Sequence, residues 1–466
     1  VGRSSGLYDH LPIPVQTLVV TGYGMVLHRR RYGAEHRRWL ARLLKSQWLS
    51  GEVVRSQQLQ ALRRVVDDAF VHVPYYREAY ARAGYQVGAL QKTEDLSALP
   101  IVDKEEVRRD PRAFISERFP ARALYEGHTS GTSGKPLLTY KTRSCYQRNW
   151  AFQERVRSWF DIRFRAPRVT LNARPVVPPQ QHEPPFWRQD LFTANWHFSV
   201  FHLSAANLPA YVSAMAAIAP VEIHGYPSAI VEVARAAIEL GESRIRPRAV
   251  VTSSETLLDT QRELMERAFG CAVRDQYGCA ENVVWVSQCA AGTYHSHPEY
   301  GYLETVEDGK PVLDRAGEVL GTGFINPAMP LIRYRLGDTM VVSSQESCVC
   351  GRSFPVVTQL VGRTDDVLYS PDGKPLGRLD PLFKGLESIV EGQFVQDETD
   401  HLTVRLVASG PAERDVADLG GRIRDAFGPS MRVTMEFTDS IPRTEAGKFR
   451  FQRNLVQGNV QRSLKA

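Results

Sequence analysis

The segment 221–277 constrains the fold of this chain more than any other. Val221-Glu222-Ile223-His224, Arg248-Ala249-Val250-Val251-Thr252 and Val273-Arg274-Asp275-Gln276-Tyr277 are short, carry β-branched or aromatic residues, and each reads as a strand. Between the first two, Ile230, Val233, Ala234 and Ala237 recur at helical spacing. Between the last two, residues 257–269 do the same. Strands alternating with helices predict a doubly wound α/β body. Such a sheet takes its ligand at the carboxyl ends of its strands, which here are Gly225-Tyr226, Ser253-Ser254-Glu255 and Tyr277-Gly278.

The rest of the chain arranges itself around that body. With 466 residues it can bury a large core and make two or more domains. Residues 35–83 read as helical: Trp39, Leu40, Leu43 and Leu44 form one apolar stripe, and Leu59, Leu62, Val65, Val66 and Ala69 another. Val73-Pro74 ends that run, because a residue before proline avoids helical geometry. Asp103 is placed to cap a short helix. A further helix carries Phe152, Val156, Trp159 and Phe160. Residues 166–190, rich in proline and arginine, are expected to be an irregular loop. From 300 to 362 short strands and turns at Asp308-Gly309, Asp314 and Gly317 predict a small β-subdomain. Beyond about residue 365 a separate module is expected, with strands at 392–395, 402–406 and 433–437 and a helix around 413–427.

Charge narrows the functional classes. Lysine and arginine outnumber the acids by 58 to 52, a formal charge of +6, with no long basic run interleaved with aromatics. That argues against nucleic-acid binding and fits small anionic ligands. The most apolar stretch, 11–27, is interrupted by Pro12, Pro14, Gln16, Gly22 and Gly24, so no membrane span is expected. The basic cluster His28-Arg29-Arg30-Arg31 after it can meet anionic lipid, but an ordinary docking segment is the expectation. Six scattered cysteines are too few for a disulfide framework, and a cytoplasmic protein is expected.

Thr129-Ser130-Gly131-Thr132-Ser133-Gly134-Lys135-Pro136 packs hydroxyls, glycines and a lysine into one turn. Glycine lets backbone N–H groups turn inward, and the side chains add donors, so the loop can wrap a polyphosphate. A polar surface turn has the same composition. It is not a Walker A loop: Pro136 stands where that motif needs Ser or Thr, and Leu137-Leu138-Thr139-Tyr140 reads as a strand where a helix would have to begin.

Four segments follow this loop in order: Tyr277-Gly278-Cys279-Ala280-Glu281, Tyr334-Arg335-Leu336-Gly337-Asp338, Gly362-Arg363-Thr364-Asp365-Asp366 and Pro442-Arg443-Thr444-Glu445-Ala446-Gly447-Lys448. The set resembles the adenylate-forming superfamily of acyl-CoA ligases and peptide-synthetase adenylation domains. Within it the chain is most similar to the phenylacetate-CoA ligase branch and its CapK or coenzyme F390 synthetase-like group. Leu11-Pro12-Ile13-Pro14-Val15-Gln16 and the segment 369–380 are in that group's style.

The resemblance implies a carboxylate attacking the α-phosphate of ATP to give an acyl adenylate and pyrophosphate, with Mg²⁺ as cofactor and CoA as a candidate acceptor. Thr129, Ser130, Gly131, Thr132, Ser133, Gly134 and Lys135 would hold the β- and γ-phosphates, Thr132 among the catalytic groups. Tyr277 would stack on adenine, with Gly278, Ser254 and Glu255 also at the nucleotide. Glu281 would bind Mg²⁺, Asp338 the ribose hydroxyls and Arg363 the ribose or phosphate edge. Lys448 would reach the α-phosphate from a mobile C-terminal domain, 365–466, hinged at Asp365 on an adenylation domain, 1–364. Ala280 departs from the pattern, where many relatives carry Thr or Ser.

Cys289-x₅-His295 with Cys348-Val349-Cys350 offers three thiolates and an imidazole, a structural Zn²⁺ set. His297 is the alternative imidazole, and reduced buried cysteines are the plain alternative. Trp196, His197, Phe198, Tyr226, Pro227, Ser253 and Cys279 fall where an acyl pocket would lie, and aromatics there suit an aromatic acid. Three functions stay open. The first is a ligase that passes its acyl group to CoA. The second is an adenylating enzyme with another acceptor (an amine, a hydroxyl, a carrier protein) or an ATP- and nitrite-dependent aryl-amine diazotase. The third is a catalytically silent binding protein. Ser370-Pro371-Asp372-Gly373-Lys374 replaces the glycine-rich turn usual in phenylacetate-CoA ligases and motivates the second.

Overall fold

A computed structural model describes residues 5–128, 137–345, 347–363, 368–373, 375–376, 379–383, 385–386, 388–444 and 447–456. One 13-stranded sheet runs through the larger part of the chain. From one edge its order is Trp187–Asp190, Asn195–Ser199, Arg168–Asn172, Glu222–Gly225, Ala249–Ser253 and Val273–Gly278. The strands from Asn195–Ser199 to Val273–Gly278 pair in parallel. Trp285–Gln288 then pairs antiparallel with Val273–Gly278. The sheet continues through Tyr294–Ser296, Val356–Arg363, Tyr334–Val342, Ala316–Gly323, Gly301–Glu307 and Lys310–Pro311. The doubly wound part and the β-subdomain are thus two halves of one sheet, joined where the helical crossovers give way to direct hairpins.

Helices Leu208–Ile218, Pro227–Glu239 and Asp259–Phe269 cover one face of the parallel half. Their core joins Val169, Leu171, Phe198, Ile223, Val250 and Val273 to Tyr211, Ile230, Val233 and Phe269. Proline at the first helical position opens Pro227–Glu239, and Gly270 in the left-handed region closes Asp259–Phe269. Gly225 is required by crowding: a Cβ there would lie 2.0 Å from the Leu171 carbonyl oxygen, so two strand ends close up only around glycine.

Two expectations change. Residues 166–190 are not irregular throughout, since Arg168–Asn172 and Trp187–Asp190 are strands at either end. The β-branched centre of Arg168-Val169-Thr170-Leu171-Asn172 was masked by the prolines that follow. Val73 does end the helix Gly51–His72, but Pro74 at once opens another, Pro74–Arg82, at the one helical position proline suits. Asp103 caps helix Lys104–Arg109 in a capping box with Glu106.

Helix Ile13–Arg31 buries its polar side, Gln16, Thr21 and Gly24, and Gln16 Oε1 accepts from Arg188 Nε at 2.7 Å. No helix of the described residues is long and apolar enough to cross a membrane. The six cysteines are free thiols.

Near the C-terminus, Arg432–Phe437, His401–Ala408, Ile389–Glu398 and Gln452–Asn454 form a separate four-stranded sheet, with helix Glu413–Phe427 packed on it through Leu419, Ile423 and Phe427. Gln452–Asn454 pairs in parallel with Ile389–Glu398, which anchors the residues just before it.

Candidate active site

The carboxyl ends of the parallel strands meet the segment that carries Lys448. A tight turn shapes it: Gly447 N–H donates to Thr444 O (2.7 Å), Thr444 N–H to Lys448 O (2.9 Å) and Lys448 N–H to Thr444 Oγ1 (3.1 Å). Gly447 takes φ +66°, and a Cβ there would come to 3.2 Å from Ala173 and Val200, the residues following Arg168–Asn172 and Asn195–Ser199. Phe449 N–H donates to Glu255 Oε1 at 2.7 Å. Glu255 also accepts from Ser228 N–H and Ser228 Oγ, both at 3.1 Å, at the start of Pro227–Glu239, where a helix favours negative charge. Burial pushes the Glu255 carboxyl up, against the pull of those three hydrogen bonds.

On the other side of the strand ends, Tyr277 donates its hydroxyl to Asp338 Oδ2 at 2.6 Å. Asp338 pairs across the sheet with Arg363. Glu281, 6% exposed, accepts from the Tyr334 hydroxyl at 3.1 Å and faces Lys104 Nζ at 3.5 Å. Leu124–His128 and Leu138–Thr142 form an antiparallel pair that brackets the glycine-rich loop. Lys141, in the second of these, donates to the Ala280 carbonyl, which ties that pair beside Glu281. Thr129, Ser130, Gly131, Thr132, Ser133, Gly134, Lys135 and Asp365 lie outside the described residues.

The candidate pocket residues divide. Tyr226 hydrogen-bonds the backbone of Ala173, beside Gly447. Ser253 ends its strand, Ser254 takes φ +73°, and Pro227 opens its helix. Burial pushes the Cys279 thiol up to about 12. Trp196 and His197 do not share a pocket: neighbours on a strand point to opposite faces. Trp196 packs on the apolar core under the helices, while His197 joins Asn195 and Arg174 on the other face.

Away from the strand ends, ligand atoms of Cys289, His295, Cys348 and Cys350 lie within 4.8 Å of one another. Cys289 Sγ is 3.9 Å from Cys348 Sγ, and Cys350 Sγ is 3.4 Å from His295 Nε2. Bonds of about 2.0–2.3 Å to a tetrahedral Zn²⁺ set ligand atoms roughly 3.4–3.8 Å apart, so the set fits. His295 Nδ1 meets the Phe354 carbonyl at 3.3 Å, leaving Nε2 turned to the thiols. His297 is engaged elsewhere, by Ser287 Oγ at 2.6 Å and by Arg155, whose guanidinium also meets Glu299 at 2.9 Å.

Residues 368–454 match the CapK C-terminal domain model. Protein CapK of Staphylococcus aureus is 24% identical over 457 residues, spanning 97% of this chain and 99% of that protein. The phenylacetate-coenzyme A ligase of Thermus thermophilus is 24% identical over 446 residues, spanning 86% of this chain and 96% of that one. Over nearly its whole length the chain is thus similar to CapK and to phenylacetate-coenzyme A ligases. A solved 2-hydroxyisobutyryl-CoA ligase in its postadenylation state shares the fold, at 19% identity and TM-score 0.72, covering 90% of this chain and 93% of that one. The same ligase in its thioesterification state superposes less well, at 0.58.

In this chain the motif residues Tyr277, Glu281, Asp338 and Lys448 all stand around the strand ends, although they are spread over more than a third of the sequence. Sequence reasoning missed Lys104, Lys141 and Tyr334. Tyr334 stood in a quoted motif without a role, and Lys104 directly follows the capping residue Asp103. Only packing shows that both reach Glu281.

Proposed function

We propose that this chain is an ATP-dependent, AMP-forming ligase that activates a carboxylic acid as its acyl adenylate. The observation that carries the reading is the seating of the Lys448 turn on the strand ends through Phe449 and Glu255. The reaction brings two anions together, so cationic and hydrogen-bonding groups must gather at one phosphorus before it proceeds. Lys448 supplies the mobile cation, Tyr277 and Asp338 hold the nucleoside, and the segment 129–135 would hold the outer phosphates. Glu281 would hold Mg²⁺, which screens phosphate charge when bound; Lys104 neutralises the same carboxylate here. Residues 1–364 form the adenylation domain and 365–466 the moving one. Cys289, His295, Cys348 and Cys350 hold a structural Zn²⁺ with no open position.

The acid is aromatic in this reading, and the acyl group passes to CoA. A second reading keeps adenylation with a non-CoA acceptor or nitrite-dependent diazotisation. It is favoured by Leu368–Tyr369 and Pro375–Leu376, a short strand pair turning through Ser370 to Gly373 where the usual glycine-rich turn would stand.

The test is exchange of labelled pyrophosphate into ATP across a panel of acids. Lys448→Ala is expected to abolish exchange while ATP still binds by calorimetry; full exchange in that variant would end the assignment. Acid-dependent CoA consumption separates the first reading from the second, and AMP release requiring nitrite and an aryl amine selects diazotisation.

A further inference from the structure

Beside the Lys448 turn, Arg174 follows Ala173 at the end of Arg168–Asn172 and turns back along the sheet, its Nη1 3.2 Å from His197 Nε2. Asn195 Nδ2 reaches the same nitrogen at 3.1 Å. Asn195 Oδ1 accepts from Thr170 Oγ1 (2.9 Å) and Arg168 Nε (3.2 Å), which fixes the amide's orientation. Asn195 Nδ2 also lies 3.5 Å from Nδ1; Arg174 can only donate, so Nε2 accepts and His197 is the neutral tautomer with its proton on Nδ1. Burial, with Arg174 and Arg31 nearby, holds its pKa well below the usual histidine range.

Arg31, the last residue of Ile13–Arg31, lies 4.1 Å over the Trp150 ring. It stands near enough to Arg174 that burial first, and that second cation next, bring its pKa down to about 10. Neither guanidinium forms an ion pair with a carboxylate among the described residues. Asp190, whose charge reaches Arg174, is already held by the N–H groups of Phe192 and Thr193 and by Thr193 Oγ1. Both guanidinium groups sit on half-buried residues, and like charges brought together partly out of water without an acid are costly unless an anion joins them. The fold bears this cost one residue from Ala173, against which the Lys448 turn packs.

We propose that Arg31 and Arg174, the latter positioned by His197, form a second anion-recognition subsite, so that the acid this chain activates carries another anionic group remote from the carboxylate that is adenylated. This deepens the ligase reading and rests on it. Planar guanidinium suits carboxylate and phosphate alike.

The test compares matched acids in pyrophosphate exchange: benzoate, phenylacetate and cinnamate, each bearing a 4-carboxylate, a 4-phosphonate or the uncharged, isosteric 4-carboxamide. The native chain is expected to prefer a dianion to its amide by about 10- to 100-fold in kcat/KM, the size of a charge-assisted contact. Which dianion leads tells carboxylate from phosphate recognition. Arg174→Gln and Arg31→Gln should collapse that ratio toward one through the KM of the dianion, and Arg31→Lys should retain part of it. Equal use of dianion and amide by the native chain, or a ratio unchanged in both Gln variants, overturns the subsite and leaves the ligase reading intact. If no acid supports exchange, the ligase reading fails. Calorimetric titration of the same compounds without ATP then decides the subsite: charge-selective binding lost in Arg174→Gln supports it, and binding without charge preference overturns it.

Discussion

Glu255 shows how one buried carboxylate can join two parts of a chain. It accepts from Ser228 in the large sheet's helix layer and from Phe449 in the segment that carries Lys448. Hydrogen bonds to a charged acceptor contribute roughly 1.5–3 kcal/mol each. Glu255→Ala should therefore raise amide hydrogen exchange at residues 447–449 and lower the adenylation rate by about 10-fold or more. Unchanged exchange there would show that the turn is seated by packing alone. At this scale the sequence named residue types correctly and could not give their directions. His28-Arg29-Arg30-Arg31 reads as one basic cluster, yet Arg30 lies over the rings of Tyr125 (3.9 Å) and Tyr146 (3.7 Å) and Arg31 over Trp150. Those rings come from 94 or more residues away, so no local pattern announces them.

Among the elements, Val273–Gly278, the last of the parallel strands, carries an acid where apolar residues usually stand. Asp275, 3% exposed, accepts from Thr252 Oγ1 at 2.7 Å and the Tyr294 hydroxyl at 2.9 Å. Burial outweighs those bonds and pushes its pKa up to about 6 from an ordinary 3.8. A carboxyl raised on folding favours the native state fully while it is protonated in both states, below the unfolded value. That contribution fades as the pH rises from about 4 to about 6 and is gone above it. The shift corresponds to about 3 kcal/mol. Asp275→Asn should flatten the loss of stability over that range in urea unfolding at stepped pH, and an unaltered profile would place the titration elsewhere. The strand itself was legible from its place in the alternation of strands and helices. Arg168–Asn172, three strands away in the same sheet, was not, because five residues set between Pro167 and Ala173-Arg174-Pro175 carry too short a pattern to outweigh their flanks.

For the whole molecule, the Cys289, His295, Cys348 and Cys350 set joins Tyr294–Ser296 to the loop that enters Val356–Arg363, across 59 residues of chain. A metal bound only by the native state adds its binding free energy to stability. Purified protein is expected to hold one Zn²⁺ per chain by metal analysis. Cys348→Ser should lose most of it and lower Tm by about 5 °C or more. Protein that is metal-free as isolated, with Cys348→Ser melting at the native temperature, would leave the cysteines as reduced packing groups.

What the sequence determined by itself was local or periodic. Alternating apolar runs set the parallel strands and their helices, a cysteine and histidine spacing offered a ligand set, and short motifs in fixed order carried the family resemblance. Those signals survive in one dimension because each is carried by residues a few positions apart. The tertiary structure decided what depends on contact across the chain. It made the β-subdomain continuous with the parallel sheet, chose His295 over His297, put Lys104 and Tyr334 on Glu281, parted Trp196 from His197, and brought two arginines 143 positions apart within electrostatic reach of each other. The physical reason is that charge, direction and burial belong to surroundings, and the surroundings of a side chain exist only once the strands have paired.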